Sequence, residues 1–441
     1  MRIALINPPA SRRYVQARDE PLQLEYLAAS VRDRADVWLV DAFGLDLSTA
    51  ETLDVLAETK PDVVGVSLNF AASSRPSLDI LRGVREALPE ATTLLGGNTA
   101  TFRARDLCLD PAVDAVVVGE ADLTFPEIVD ALAVGSPLDG VPGLCIERQG
   151  RAVTTKDRPL VENLDALPFP ARDLLPLGET YTRSVLTARG CSYGCIYCSA
   201  TAFWRRRTRI RSVDGILAEV ATLVRDKAAY FSFADDCFTI RPERAMAVCD
   251  GLAAMGGETA WSCTGRIETI SPELLERMAA TGCRMIFFGV ESGSPRILAR
   301  LKRRYTPKRV EEVYAMCLAH GIVPSFSFIV GLPFEEPQDV AATFELIRRL
   351  EGVECGVHML TPFPGTPIAD KPNDFELTIA PHRAEDLDIN TRSFIDTPFA
   401  DRERTQQNFY DGMGLAMGTV RRKRRFLEHY RPRPGHEPVI A

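Results

Sequence analysis

No histidine occurs before His320 in this 441-residue chain, and only five occur in all. A histidine-built zinc site or a histidine general base is therefore excluded from the first 319 residues. Long apolar runs are missing too, and no stretch reaches the length needed to cross a bilayer. The N-terminus, "MRIALINPPA", lacks the apolar length and cleavage site of a signal peptide. A cytoplasmic location is expected, where thiols stay reduced. Positive charge is in deficit. With 52 Lys and Arg against 60 Asp and Glu, the formal net charge of −8 gives no general attraction to nucleic-acid phosphates. A local basic run, "RRKRR" at 421–425, reads as a solvated helix face.

What is present is a soluble globular composition, 46% hydrophobic and 25% charged, on a chain too long for one ordinary core. Residues 1–140 alternate short apolar runs with amphipathic stretches. The strand candidates are "RIALIN", "DVWLVDA", "DVVGVSL", "TTLLGG" and "DAVVVGE". Four helical stretches separate them, one opened by a capping box of Ser48 and Glu51. Strand–helix alternation with nearly all-apolar strands predicts a doubly wound parallel sheet, Rossmann-like, with ligands at the carboxyl ends of its strands.

Residues 141–182 read as a linker, because prolines at 159, 168, 170 and 176 cannot lie within a regular helix. A second alternating series fills 183–371, with "SVLTARG", "YFSFADD", "AWSCTGR", "MIFFGVE", "SFSFIVG" and "CGVHMLTP" as strands. Ser271-Pro272 starts one of its helices and Gly282 ends it. Six units predict a partial (β/α)6 barrel, open on one side. The C-terminal extension, 372–441, is less regular and reads as a cap on the open barrel edge or on the substrate mouth.

Eleven cysteines are present, and three crowd into "ARGCSYGCIYCSA" at 188–200, just after the first strand of the second series. Cys191, Cys195 and Cys198 have the spacing C-x3-C-x2-C, with Gly190 and Gly194 letting the loop curl. Reduced thiols argue against a disulfide. A structural zinc needs a fourth protein ligand, and no fourth Cys or His lies nearby. Three thiolates can hold three corners of an iron–sulfur cube and leave the fourth iron open. The cysteines at 237, 249, 263, 283, 317 and 355 read as small core residues.

This loop resembles the cluster motif of the radical S-adenosylmethionine (SAM) superfamily, whose barrel also has six units. The resemblance spans 183–367 and implies a 4Fe-4S cluster with SAM chelated at its open iron. By it, Tyr197 is the aromatic beside the adenine, and "FADDCF" at 233–238 brings Asp235 or Asp236 to the amino end of SAM. Adjacent strand residues point in opposite directions, so one of the two is expected to touch the cofactor. "FGVESGS" places Glu291 near the ribose or methionine portion, "FIVGLPFE" lines the adenine pocket, and "TPFPGTP" closes the series. Arg266 reads as a partner of the SAM carboxylate or as part of a barrel salt bridge.

The N-terminal series, followed by "LDALPFPARDLL", resembles the cobalamin-binding branch of that superfamily. The resembling pieces are "NPP", "GVS" with Ser67, "LLGGN" with Gly96 and Gly97, and "VVVGEAD" with Gly119 and Glu120. The branch's usual histidine after the first strand is absent, since that loop reads "NPPASRRY". Cobalt would then have an open lower face, or one met by water or another side chain, with Arg75 a candidate.

The resemblance implies a cobalamin-dependent methyltransferase. It would act on an unactivated carbon of a small-molecule, lipid or peptide substrate, with an electron donor such as flavodoxin or ferredoxin. A radical cyclase or ring-rearranging enzyme is the alternative, and it would form no S-adenosylhomocysteine. A methylthiolating enzyme would need further cluster cysteines near the N-terminus, where the first 150 residues hold only Cys108 and Cys145.

Overall fold

A computed structural model describes residues 1–9, 18–175, 181–226, 228–256, 259–383 and 386–429. Most of the loop "NPPASRRY", Pro176 of the linker, and the side chains of the basic run at 421–425 lie outside the described residues. The chain divides into two compact units. One comprises residues 1–184, 199–211 and 383–387, and the other 185–198, 212–382 and 388–441.

In the first unit the five expected strands form. They are β1 (Arg2–Asn7), β2 (Asp36–Asp41), β3 (Val63–Ser67), β4 (Thr92–Gly96) and β5 (Ala115–Val117). Between them run α1 (Leu22–Val31), α2 (Thr49–Thr59), α3 (Ser74–Ala87) and two short pieces, α4 (Asn98–Phe102) and α5 (Ala104–Leu107); α6 (Thr124–Ala133) follows β5. The capping box is made, Ser48 N donating to Glu51 Oε2 at 2.7 Å and Glu51 N to Ser48 Oγ at 3.2 Å. Successive residues of β1 enter opposite cores: Ile3 and Leu5 on one face, Ala4 and Ile6 on the other. That is why the strands read as unbroken apolar runs, and each buried Leu or Ile contributes about 1.5–3 kcal/mol.

The strand order is β2-β1-β3-β4-β5, all parallel, extended by an antiparallel hairpin of β6 (Leu144–Arg148) and β7 (Arg151–Thr154). The linker read over 141–182 thus begins with two strands of the sheet. The sequence pattern does not mark them, because Glu147, Arg148 and Arg151 break the apolar run at an exposed edge. Beyond them, among the described residues, the proline-rich stretch forms two 3-10 turns, Leu164–Ala166 and Arg172–Leu174.

The second series forms as β8 (Tyr181–Val185), of which only the last residue belongs to the second unit, and as β9 (Tyr230–Phe233), β10 (Ala260–Gly265), β11 (Cys283–Glu291), β12 (Val323–Val330) and β13 (Glu354–Met359), which lie wholly within it. They lie side by side in chain order, and among the described residues no strand pairs with the far edge of β13. The sheet is an open, partial barrel wall, not a closed one. Helices α7 (Val213–Arg225), α8 (Pro242–Met255), α9 (Pro272–Ala280), α10 (Pro307–Ala319) and α11 (Pro337–Arg349) cover one face over a core that includes Phe231, Phe233, Trp261, Phe288, Phe326 and Phe328. Ser271 caps α9 by accepting from Leu274 N at 3.2 Å, and Gly282 turns the chain at φ +93°.

The C-terminal extension settles against the open edge of this unit. Met359 N of β13 donates to Ile389 O at 2.8 Å, and α12 (Arg402–His429) places Phe409 and Ala416 in the helix-side core. Among the described residues no helix is long and apolar enough to cross a membrane.

Candidate functional site

The three-cysteine loop leaves β8 through Thr187 and Ala188, whose backbone N–H groups donate to Asp235 Oδ1 at 2.6 and 3.0 Å. Thr187 Oγ1 and the Arg244 guanidinium complete the enclosure of the Asp235 carboxylate. Asp235 is buried, and burial pushes its carboxyl up against the pull of Arg244. Its neighbour Asp236 is exposed and accepts from Gly190 N at 3.1 Å, beside the first cysteine. The two carboxylates thus part as strand geometry requires. Asp235 anchors the base of the loop, and Asp236 stands on the open side.

None of the eleven cysteines is in a disulfide. Eight are buried, while Cys191, Cys195 and Cys198 alone are partly exposed. Burial still pushes the Cys191 thiol up, to about 11, with Asp236 and Cys195 adding to the effect. A single metal ion would need its donors converged on one point, whereas a cube takes one thiolate at each of three separate irons. Among the described residues no three His, Cys, Asp or Glu side chains converge in the first way. Three accessible thiols on one curled loop are the donor set that the second requires.

Tyr197, in that loop, meets the end of β11. Arg303 Nη2 donates to Tyr197 Oη at 2.6 Å and to Glu291 Oε1 at 2.5 Å. Arg303 and Glu291 side chains are 6% and 8% exposed. Burial, with Glu291 alongside, pushes the Tyr197 phenol well above its ordinary range, so it stays protonated. Glu291 itself sits at φ +74°, where a bulge interrupts the pairing of β11 with β12. Nothing in "LKRRY" marks Arg303 out from its basic neighbours, and sequence reasoning missed it.

Arg266, at the end of β10, donates to Glu268 Oε1 at 2.5 Å and lays its guanidinium 3.6 Å from the centre of the Tyr193 ring. It makes the salt bridge and stacks on the loop at once. Arg266 Nε, Arg303 Nε and Glu268 Oε2 are buried with no hydrogen-bond partner. Two cationic donors and an acceptor left open beside the thiols fit a ligand carrying a carboxylate, an ammonium group and hydroxyls, as SAM does. In "FIVGLPFE", Glu335 lies beneath the turn after β12. Its Oε2 accepts from Gly331 N at 2.7 Å and Leu332 N at 3.3 Å, and burial raises its carboxyl to about 8.

In the first unit a second cradle opens at the carboxyl ends of β3, β4 and β5, beside the point where strand order reverses between β1 and β3. Asn69 organises it, donating to Ser67 Oγ at 3.0 Å and accepting from Asn98 N at 3.1 Å. Gly97 has φ +112°, and a Cβ there would lie 2.6 Å from Asn69 Oδ1 and 2.8 Å from Leu68 O, so only glycine fits. A Cβ on Gly96 would meet only Val117, at 3.6 Å. Gly119, at φ +80°, donates to Thr101 Oγ1 at 2.9 Å and has open space where a side chain would stand. This bare backbone rim, without a histidine, suits close approach of an extended nucleotide-like tail.

Two of the expected residues turn elsewhere. Glu120 accepts from Arg209 Nη1 and from Val161 N, each at 2.7 Å, so its carboxylate ties the connecting segment in place. Arg75 lies on α3 with an 81% exposed side chain, 3.6 Å from Asp79.

Comparison with known proteins agrees with this division. Residues 185–347 match the radical SAM superfamily model, and residues 14–129 match the model of the B12 binding domain. An uncharacterized methyltransferase of Pyrococcus horikoshii is 32% identical over 378 residues, 83% of this chain and 82% of that protein. The hopanoid C-3 methylase of Methylococcus capsulatus is 28% identical over 433 residues, covering 93% and 80%. Among solved structures, the radical SAM methyltransferase TsrM of Kitasatospora setae, with cobalamin and a 4Fe-4S cluster bound, superposes with a TM-score of 0.71. It is 19% identical, covering 86% of this chain and 80% of that one, and shows the shared fold. A thiol loop, a partial barrel and an α/β unit with a glycine-lined rim thus coincide with the two matched models, and the chain belongs to the radical SAM superfamily, in the branch that carries a B12 binding domain.

Proposed function

We propose that this chain is a cobalamin-dependent radical SAM enzyme that methylates an unactivated carbon of a small-molecule, lipid or peptide substrate. The observation that carries the reading is the Tyr197–Arg303–Glu291 cluster built onto a loop of three accessible thiols, in a chain whose other unit has a glycine rim free of histidine. The methyltransferase names of its relatives support it.

When bound, the cluster, SAM and cobalamin would together supply a 5′-deoxyadenosyl radical for hydrogen abstraction and a cobalt-held methyl group for transfer. Cys191, Cys195 and Cys198 would hold the cluster. Asp236 and Arg266 would receive the ammonium and carboxylate of SAM, and Glu291 its ribose. Arg303 holds Glu291 and Tyr197 in one orientation, which confines the adenosyl portion to a single pose. Asp235 keeps the loop's base rigid without touching ligand. The rim at Ser67, Gly97 and Gly119 would take the corrinoid's tail. A flavodoxin or ferredoxin is the fitting electron donor, and a reducing cytoplasm the fitting location for free loop thiols.

Anaerobic reconstitution with iron, sulfide and hydroxocobalamin tests this. The expected result is a corrinoid absorption band retained on the protein, with both S-adenosylhomocysteine and 5′-deoxyadenosine formed from SAM. Formation of 5′-deoxyadenosine alone, with no corrinoid retained, would favour the cyclase reading instead.

A further inference from the structure

Alternation along β11, β12 and β13 separates two faces. Phe288, Val290, Phe326, Phe328, Val357 and Met359 lie in the helix-covered core, so the residues between them face the uncovered side. On that side Gly289, Ser327 and Gly356 stand in register across the three strands. No side chain in this row exceeds a hydroxymethyl group. The row ends at two polar groups that fold back over its glycines. A Cβ on Gly289 would lie 2.5 Å from Glu291 Oε1, and one on Gly356 would lie 3.0 Å from His358 Nε2. Two strand spacings separate them, about 10 Å, enough for one ring with its substituents.

The polar atoms here are poised for a guest. Ser327 is 9% exposed, and its hydroxyl has no hydrogen-bond partner among the described residues; Ser325, 3% exposed, is in the same condition. His358 Nδ1 lies 2.8 Å from Asn390 Oδ1, an acceptor supplied by the C-terminal extension. With Asn390 Oδ1 as the acceptor, Nδ1 donates, and in the neutral imidazole the Nε2 lone pair faces the row. Around these atoms the face is apolar, with Phe287 43% exposed beside Ser325 and Ile329 beside His358.

We propose that His358 Nε2 and Ser327 position the substrate, accepting a hydrogen bond from a neutral, mainly apolar molecule that presents one hydroxyl or N–H. The molecule's body lies over the Gly289–Ser327–Gly356 row, with its reacting carbon toward Glu291. Asn390 acts through His358, fixing its tautomer. The inference rests on the proposed radical chemistry at Tyr197, Arg303 and Glu291, because a target carbon must lie beside that site.

The test is a mass-spectrometric footprint of the reconstituted holoenzyme with diethyl pyrocarbonate, which acylates an imidazole nitrogen bearing a free lone pair. Phenol and anisole serve as probes of near-equal shape, only the first being a donor. His358 should react in the folded protein; phenol at about ten times its half-protecting concentration should slow it about tenfold, while the same concentration of anisole, bound about tenfold more weakly for want of one hydrogen bond, should slow it by no more than about twofold. Equal protection by both probes, or a His358 that reacts only after denaturation, overturns the proposal. Ser327→Leu fills the row and should abolish the phenol protection; if that variant fails to fold, the wild-type comparison still decides. SAM cleavage by the wild type is measured in parallel. Cleavage without probe discrimination removes the pocket alone, and discrimination without cleavage removes the radical reading alone.

Discussion

A single nitrogen of Arg303, Nη2, serves both Glu291 Oε1 at 2.5 Å and Tyr197 Oη at 2.6 Å, so one guanidinium joins the cysteine loop to the end of β11. Both charged partners are buried. Arg303→Met strands the Glu291 carboxylate, and a loss of about 3–5 kcal/mol in unfolding free energy is expected. Arg303→Met with Glu291→Met should recover most of it. Urea unfolding followed by tryptophan fluorescence reads both, and equal loss in the single and double variants would show that the pair is not what holds this corner.

The two adjacent aspartates should behave as opposites. Asp235→Ala removes the acceptor for Thr187 N, Ala188 N and Arg244, and about 3–5 kcal/mol of stability should go with it. Asp236→Ala, at an exposed position, should cost under about 1 kcal/mol yet lower the rate of SAM cleavage by about tenfold, one charge-assisted contact's worth. Thermal unfolding and 5′-deoxyadenosine formation, measured on both variants, separate the roles.

The glycines of the first unit's rim differ in what they demand. Gly97→Ala forces a Cβ against Asn69 Oδ1 and the Leu68 carbonyl at φ +112°, and corrinoid retention should fall by more than about tenfold. Gly119→Ala meets no neighbour, so the protein should lose only about 1–2 kcal/mol from backbone strain. Absorbance of protein-bound corrinoid after gel filtration gives the first number and thermal unfolding the second.

Glu335 gives the second unit a pH dependence. Its carboxyl is raised to about 8 by burial, from 4.5 in the open chain. Between those values the folded state holds a proton that the unfolded state has released, so stability is full below about pH 4.5, falls as pH rises, and levels off above about 8. The span is a few kcal/mol, on the order of 1.4 kcal/mol per unit. Glu335→Gln, which keeps an acceptor for Gly331 N and Leu332 N, should lack that slope. The carboxyl also lines a cavity of about 130 Å³ shared with Val340, Phe344, Arg404 and Asn408, so the C-terminal extension should feel the change. Chemical unfolding of both proteins at a series of pH values is the measurement.

Most of the fold was legible because its strands are buried on both faces or backed by helices. "DVVGVSL" and "SFSFIVG" announce themselves as unbroken apolar or alternating runs. The β6–β7 hairpin was not legible, since an exposed edge tolerates Glu147, Arg148 and Arg151. At the site, short-range pattern marked the thiols, Tyr197 and Glu291, but partners brought in by the fold carried no local signal. Arg303 lies 106 residues from Tyr197, and Asn390 lies 32 from His358. The Asp235–Asp236 pair was half legible: alternation says that the two diverge, and only packing against Arg244 says which one turns inward.

Eight sulfhydryls are sealed in the interior while three stand half open on one curl of chain. An iron donor meeting the folded chain would find three thiols within reach and eight beyond it, so a cluster would be held without recruiting a core cysteine. Loss of the inorganic part would then stop turnover while leaving the core packing in place, and anaerobic iron and sulfide should restore the activity.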